Sequence, residues 1–330
     1  MTDKTLLLLM IMRIPGLRTA ERNILGRKFE NEDELSGLNK KDIESIISRS
    51  LPEEKWTMKQ VKIQAEKDCA TAQRQGIKIV SIRDAEYPPL LREIYDPPEI
   101  LFYRGVLPDP EKPMAAMVGT RQPSPEAASF AVKLGRDLGK CGIPVVSGLA
   151  LGIDTFSHRG NVEAGEKAVA VLGSGLDQIY PASNRPLAGR IIENGGVLLS
   201  EYPPEMGPRK WHFPARNRII SALARGTVIV EAPEKSGALI TAAFALEQNR
   251  DLWVTEAGVN SARGKGTARL AGEGAAIINS AREILDEWGI EAAGIPEEEK
   301  TEAGFPVSGN QAGMALAISM ARKLKMKISN

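Results

Sequence analysis

The chain predicts an α/β protein, a mostly parallel sheet covered by helices on both faces, preceded by a small all-α domain. Three observations carry that class. From Met114 to Thr255, short Val/Ile/Leu/Ala runs alternate with stretches of helical spacing, the pattern of a sheet buried on both sides. Glycine-rich turns follow the apolar runs, as ligand-facing loops of such sheets do. The first fifty residues, in contrast, hold a faint repeat of helical hairpins.

Taken in order, residues 5–12 (TLLLLMIM) read as a buried first helix, because the run is too short to span a bilayer and Arg13 and Pro15 close it. Ile14-Pro15-Gly16-Leu17 leads into a helix through Ala20, Ile24 and Leu25, and Leu35-Ser36-Gly37-Leu38 into another through Ile43, Ile46 and Ile47. Two packed helical hairpins within residues 1–75 are expected. A second domain, 76–288, opens with strands at GIKIVSI and ILFYRG, separated by the turns YPPLL and YDPPEI. Strands then fall at 114–118, 143–147, 168–172, 196–200, 227–231 and 251–255. Helices between them fall at 125–140, 152–164, 184–194, 215–224 and 238–249. Glycines at 258, 264, 266, 272 and 274 mark 256–276 as a loop over the sheet edge, before a helix near 280–288. Residues 289–330 read as a short tail: an acidic run at 297–300, then a helix at about 311–327 carrying Arg322, Lys323, Lys325 and Lys327.

The 330 residues are 42% apolar and 26% charged, ordinary for a globular protein. A formal net charge of +1 excludes a generally basic protein that coats nucleic acid. Any polyanion site must be local, with arginines gathered on one face. Cys69 and Cys141 stand far apart and outside the motifs, so neither a disulfide framework nor a metal site is expected, and a reducing cytoplasm fits.

The loops carry the chemistry. At Gly119-Thr120-Arg121 a strand ends, and Ser124-Pro125-Glu126 opens a helix as N-cap, first-turn proline and first-turn acid. Arg121 therefore projects at the carboxyl edge of the sheet, and its fork suits a phosphate. In SGLALGID (147–154), small residues let backbone approach a ligand, and Ser147 and Gly148 are candidate phosphate contacts. Asp154 and His158 lie at i,i+4 and are expected to organise this loop through a buried Asp–His hydrogen bond. Gly173-Ser174-Gly175 resembles half a dinucleotide fingerprint, and Arg185, at a helix start, is a second phosphate candidate. Pro208–Arg218 sets four cations in eleven positions beside Trp211 and Phe213, the mixture of charge and π-faces that suits a single strand. Within it Arg216, Asn217 and Arg218 are candidate ligands. Ser236-Gly237 opens another helix N-terminus, a further anion site.

No G-x-x-x-x-G-K-[ST] and no G-x-S-x-G occur, and His158 and His212 are the sole histidines, so no catalytic residue, metal or cofactor is assigned.

Together these motifs resemble the DNA-processing protein A family (DprA, or Smf) of bacteria. The likeness rests on GTR at 119–121, SGLALGID with His158, GSGLDQIYP at 173–181, FPARNRII at 213–220 and the run from Glu231 through SGALITAAFA, and spans about residues 76–280. The N-terminal hairpins look like the SAM or helix-hairpin-helix domain that precedes this core in many members. The resemblance implies an extended Rossmann-like fold that binds single-stranded DNA without cleaving it, protects incoming strands in natural transformation and loads the RecA-type recombinase. It implies a cytoplasmic homodimer with no membrane association, and puts phosphate contacts on Arg121 and Arg185. Three departures stand out: Thr255-Glu256-Ala257-Gly258 replaces the family's Pro-Gly, Gly266-Thr267-Ala268 loses its asparagine, and the tail is too short for a complete winged helix. The competing class is a Rossmann-like nucleotide phosphoribohydrolase of the lysine-decarboxylase-like group, with Glu231 or Glu247 as its acid.

Overall fold

Leu6 to Ile11 are buried, most of them completely, because helix α1 (Asp3–Arg13) is apolar on nearly every side and is packed among other helices. The computed structural model describes residues 3–292 and 294–295, and the basic helix expected at 311–327 lies outside them. Around α1 come α2 (Thr19–Lys28), α3 (Glu32–Ser36), α4 (Lys40–Ile47) and α5 (Met58–Arg74). Polar caps set their starts: Asn31 accepts from Glu34 N–H, Asn39 from Lys41 and Asp42 N–H, and Thr57 from Gln60 N–H. The first turn is tied down from within, since the Arg49 guanidinium holds the Glu21 carboxylate at 2.7 Å and Gly16 O at 2.8 Å. Helix α5, which the hairpin repeat does not announce, completes the group.

Strand β1 (Lys78–Ser81) follows, then α6 (Pro89–Arg92) and β2 (Ile100–Gly105). β1 and β2 pair antiparallel, Lys78 opposite Tyr103 and Ser81 opposite Ile100. From there the chain alternates: β3 (Ala115–Val118), α7 (Pro125–Lys140), β4 (Val145–Ser147), α8 (Ile153–Glu163), β5 (Val169–Val171), α9 (Arg185–Glu193), β6 (Val197–Ser200), α10 (His212–Leu223). It continues β7 (Gly226–Ile229), α11 (Ala238–Glu247), β8 (Asp251–Thr255), α12 (Glu256–Val259), α13 (Lys265–Gly272), β9 (Ala276–Ile278), α14 (Ala281–Trp288). The nine strands are ordered β1-β2-β6-β5-β4-β3-β7-β8-β9.

The described residues form two compact units. One holds the chain up to Arg104 with Ser174–Gln178 and Leu199–Pro208; the other holds Gly105–Gly173, Ile179–Leu198 and the chain from Arg209 onward. In the first unit Cys69 is free, and burial pushes its thiol up to about 11, which leaves it protonated and unreactive at neutral pH. In the second unit β3 lies between β4 and β7, with Ala115 opposite Val145 on one side and Gly226 on the other. The connection after β3 runs to β4 and the one after β7 runs the opposite way to β8, so a crevice is expected at the carboxyl ends of β3 and β7, where open α/β sheets bind ligands. The far edge is held by two tryptophans 5.7 Å apart: Trp253 Nε1 donates to Glu287 at 2.8 Å and Trp288 Nε1 to Asp251 at 2.9 Å.

The expected loop at 256–276 is instead α12, α13 and β9. Three of its glycines, Gly258, Gly264 and Gly266, serve close packing rather than chain reversal. A Cβ on Gly258 would lie 1.9 Å from Val230 O, and Thr255 Oγ1 accepts from Gly258 N–H as the cap of α12. Among the described residues no helix is long and apolar enough to cross a membrane.

Candidate nucleic-acid interface

Strand β3 ends at Val118, and the turn after it is gripped from its inner side. Thr120 N–H donates to Glu231 O at 2.7 Å. The fully buried Glu231 carboxylate accepts Ser124 N–H at 2.8 Å through one oxygen and Ser261 Oγ–H through the other. Ser124 in turn caps α7, taking Ala127 N–H at 3.2 Å. With its inner face so engaged, the turn leaves Arg121 exposed, its guanidinium carbon 5.7 Å from the Phe213 ring centroid. Among the described residues Arg121 has no carboxylate partner.

The loop after β4 is fixed by three side chains from beneath. Asp154 Oδ2 accepts Gly148 N–H at 3.1 Å and Ala150 N–H at 3.3 Å. Arg216, from α10, donates to Gly148 O at 2.8 Å and to Val171 O. Asn184 Nδ2 donates to Leu149 O at 2.9 Å and to Thr155 Oγ1 at 2.8 Å, which ties the start of α9 to the same loop. Burial raises the Asp154 carboxyl above its ordinary range, and the Arg216 charge opposes that rise.

Two expectations for this loop are corrected. Asp154 does organise it, but through backbone amides and not through His158. The His158 ring is fully buried with neither nitrogen hydrogen-bonded, and burial pulls it down to about 3, so it is neutral at physiological pH. The i,i+4 spacing puts both residues on one helix face, yet the carboxylate turns toward the unpaired N–H groups ahead of the helix. Ser147 is equally unavailable to a ligand: its hydroxyl is fully buried and donates to Met117 O at 2.6 Å.

After β5, Gly173 lies against the Phe213 ring, where a Cβ would come within 2.9 Å. Ser174 is buried with its hydroxyl donating to Gln178 O at 2.8 Å, and Gly175 packs on the carbonyls of Pro203 and Pro204. Ser174 and Gly175 are therefore packing residues rather than ligand contacts. Tyr180 is about half exposed, its ring 5.6 Å from Phe213. Arg185, the first residue of α9, is exposed and has no carboxylate partner among the described residues.

The basic segment divides sharply. Helix α10 starts at His212, ahead of the expected residue 215, since Pro214 in a first turn needs no N–H partner. That helical start turns Arg216 and Arg218 inward, to 4% and 3% exposure. Arg216 spends its guanidinium on carbonyls, and Arg218 Nη1 donates to Ala215 O at 3.0 Å. Neither faces solvent, which corrects their reading as phosphate contacts. Asn217, half-buried, donates to Gly237 O at 3.3 Å, and Ser236 Oγ accepts Ala238 N–H at 3.2 Å at the start of α11. The exposed cations of the segment are Arg209 and Lys210. A further cation emerges from the misread 256–276 stretch: exposed Arg263 donates to Gln122 O at 3.1 Å, next to Arg121 in the chain. Its sequence signal was present, two cations among glycines in ARGKG, but reading the stretch as an edge loop hid it.

The family model for DNA recombination-mediator protein A matches residues 78–289. The chain belongs to this family. DNA processing protein DprA of Bacillus subtilis (strain 168) is 40% identical over 219 residues, 66% of this chain and 73% of that protein. Its counterpart in Streptococcus pneumoniae is 42% identical over 208 residues, 63% of this chain and 73% of that one. The X-ray structure of DNA processing protein A from Streptococcus pneumoniae superimposes with a TM-score of 0.67 at 33% identity, covering 88% of this chain and 95% of that one. A structure of the Helicobacter pylori DNA processing protein A, studied for its single-stranded DNA binding mode, gives a TM-score of 0.56 at 30% identity, covering 64% and 95%. The expected Rossmann-like core with its helical N-terminal segment is thus the family fold. Within this DNA recombination-mediator core, Arg121, Arg185, Arg209, Lys210 and Arg263 stand exposed on loops and helix starts that follow the parallel strands.

Proposed function

We propose that this chain binds single-stranded DNA without cleaving it, through phosphate contacts along the carboxyl edge of the sheet. On this reading it shields incoming strands in natural transformation and loads a RecA-type recombinase on them, as a cytoplasmic homodimer. The observation that carries the reading is Arg121, exposed and without a carboxylate partner at the switch point, its guanidinium set over Phe213. A cation left unpaired at a fixed turn is available to an anion, and Arg185, after β5 and two strands along the edge, is a second exposed cation.

The phosphoribohydrolase reading finds no acid. Glu231 is fully buried with both oxygens engaged, and Glu247 ends α11, roughly 14 Å along the helix from its ligand-facing start.

Fluorescence anisotropy tests the proposal, titrating a labelled single strand of thirty-odd nucleotides and the same sequence as a duplex at several salt concentrations. With about three to four phosphates held, log K falls with log salt at a slope of about −2 to −3. Preference for the single strand, and a shallower slope in Arg121→Ala, support the reading. Absence of binding at low salt overturns it.

A further inference from the structure

Trp211 is 65% exposed, and nothing in the phosphate-gripping scheme uses it. Of the four tryptophans, Trp253 and Trp288 are buried and Trp56 is half-buried. An indole left in water forgoes the burial that normally places this residue in a core. The ring is nonetheless held in a defined place. It occupies the N-cap of α10, where Trp211 O accepts Ala215 N–H at 3.4 Å. The next residue, His212, is buried with Nδ1 3.2 Å from Gly173 O, and the two rings meet edge-on at 6.0 Å. The Arg209 guanidinium carbon sits 5.6 Å from the indole centroid. Arg209 and Lys210 are exposed and have no carboxylate partner among the described residues.

The contrast with Tyr95 says what kind of occupant suits this ring. Tyr95 is 88% exposed, more than Trp211, but its near neighbours in the chain are the acids Glu93 and Asp96 rather than cations set against its ring. Trp211 follows two unpaired cations. An aromatic face beside cations recognises a planar base attached to a phosphate chain, whereas phosphate alone has no use for the indole.

We propose that Trp211 is a stacking platform for an unpaired nucleobase, with Arg209 and Lys210 holding the adjacent phosphates. It would add a base-dependent contact to the phosphate grip at Arg121 and Arg185. The proposal rests on the single-stranded DNA reading above and deepens it, turning a backbone binder into one that also requires bases.

The test uses the full chain and two strands of equal length and charge, oligo-dT and an abasic strand of tetrahydrofuran residues. The wild type binds oligo-dT about thirtyfold more tightly than the abasic strand, at the middle of the range for stacking of one base. Trp211→Ala removes most of that ratio while its salt slope stays unchanged, and Trp211→Phe restores it. Tryptophan emission is quenched by oligo-dT in the wild type and not in Trp211→Phe. The proposal is overturned if Trp211→Ala keeps the wild-type ratio, or if it weakens both strands equally, which would make Trp211 a structural or protein-contact residue. Failure of the wild type to bind either strand at low salt is a different result: it removes the single-stranded DNA reading itself.

Discussion

Arg121 and Arg216 belong to the same edge of the same sheet and have opposite fates. On the rim, Arg121 is exposed and unpaired with any carboxylate among the described residues. On the floor, Arg216 is 4% exposed, with its guanidinium on the carbonyls of Gly148 and Val171 and its charge set against buried Asp154. The difference teaches that the floor shapes the loops and leaves the rim open to solvent. Substitutions on the two levels must then fail in different assays. Arg216→Met is expected to have the largest effect, because it strips two buried carbonyls of their donor and leaves Asp154 without its counter-charge. A loss of about 3–5 kcal/mol in unfolding free energy by urea titration is expected, as for a broken buried pair. A loss below about 1 kcal/mol would show that the floor is not what holds the loops.

A second buried acid, in the other compact unit, sharpens the comparison. Glu99 is 8% exposed and lines a small cavity with Leu8, Ile11, Arg22 and Glu201, and with Asn23 oriented by its neighbours its amide donates to Glu99 at 2.9 Å. Burial pushes the Glu99 carboxyl up to about 7 from an ordinary 4.5, and the more distant charges of Arg83 and Arg27 only partly oppose this. The folded state therefore holds a proton through this window that the unfolded chain releases. Stability contributed by that proton is present at pH 5 and is lost as pH rises through about 7. At 1.36 kcal/mol per unit the full effect is about 3 kcal/mol. Glu99→Gln, which carries no titrating group, should gain on the wild type by about that amount between pH 5 and pH 8 in chemical denaturation. An unchanged difference across that range would mean Glu99 is ionised in the folded protein.

How much of this was legible in the residues follows from the range of the forces involved. Strand-helix alternation from β3 to β8 is a local pattern, and so is the Ser124-Pro125-Glu126 cap that fixes where Arg121 emerges. The fate of Ser147 was not legible, since its hydroxyl is taken by Met117 O from the neighbouring strand, a pairing no local pattern announces. Arg216 and Arg218 were misread for a related reason. Cation density along Pro208–Arg218 says nothing of which side of α10 they occupy until the helix start at His212 is known. Glycines misled at 256–276 because close packing and chain reversal demand the same residue.

On the rim, Arg121→Ala should leave stability within about 0.5 kcal/mol of wild type, as surface substitutions do. Its cost falls on single-strand affinity, about tenfold at low salt, with the salt slope shallower by about 0.7 for one phosphate lost. The opposite pattern, lost stability with unchanged slope, would move Arg121 from the rim to the floor.

Arg185→Ala is the smallest expected effect and the most informative about geometry. Arg185 follows β5, two strands along the edge from β3, beside the β4 loop that Asn184 holds, and its side chain has no carboxylate partner among the described residues. A single exposed cation of this kind should cost about three- to fivefold in affinity and about 0.7 in slope. The double variant Arg121→Ala with Arg185→Ala decides between two arrangements. If the slope falls by about 1.4 and the affinity losses multiply, the two arginines hold separate phosphates of one continuous strand. If the double variant is no worse than Arg121→Ala alone, both contact the same phosphate, and the track runs from Arg121 toward Arg209 and Lys210 rather than along α9.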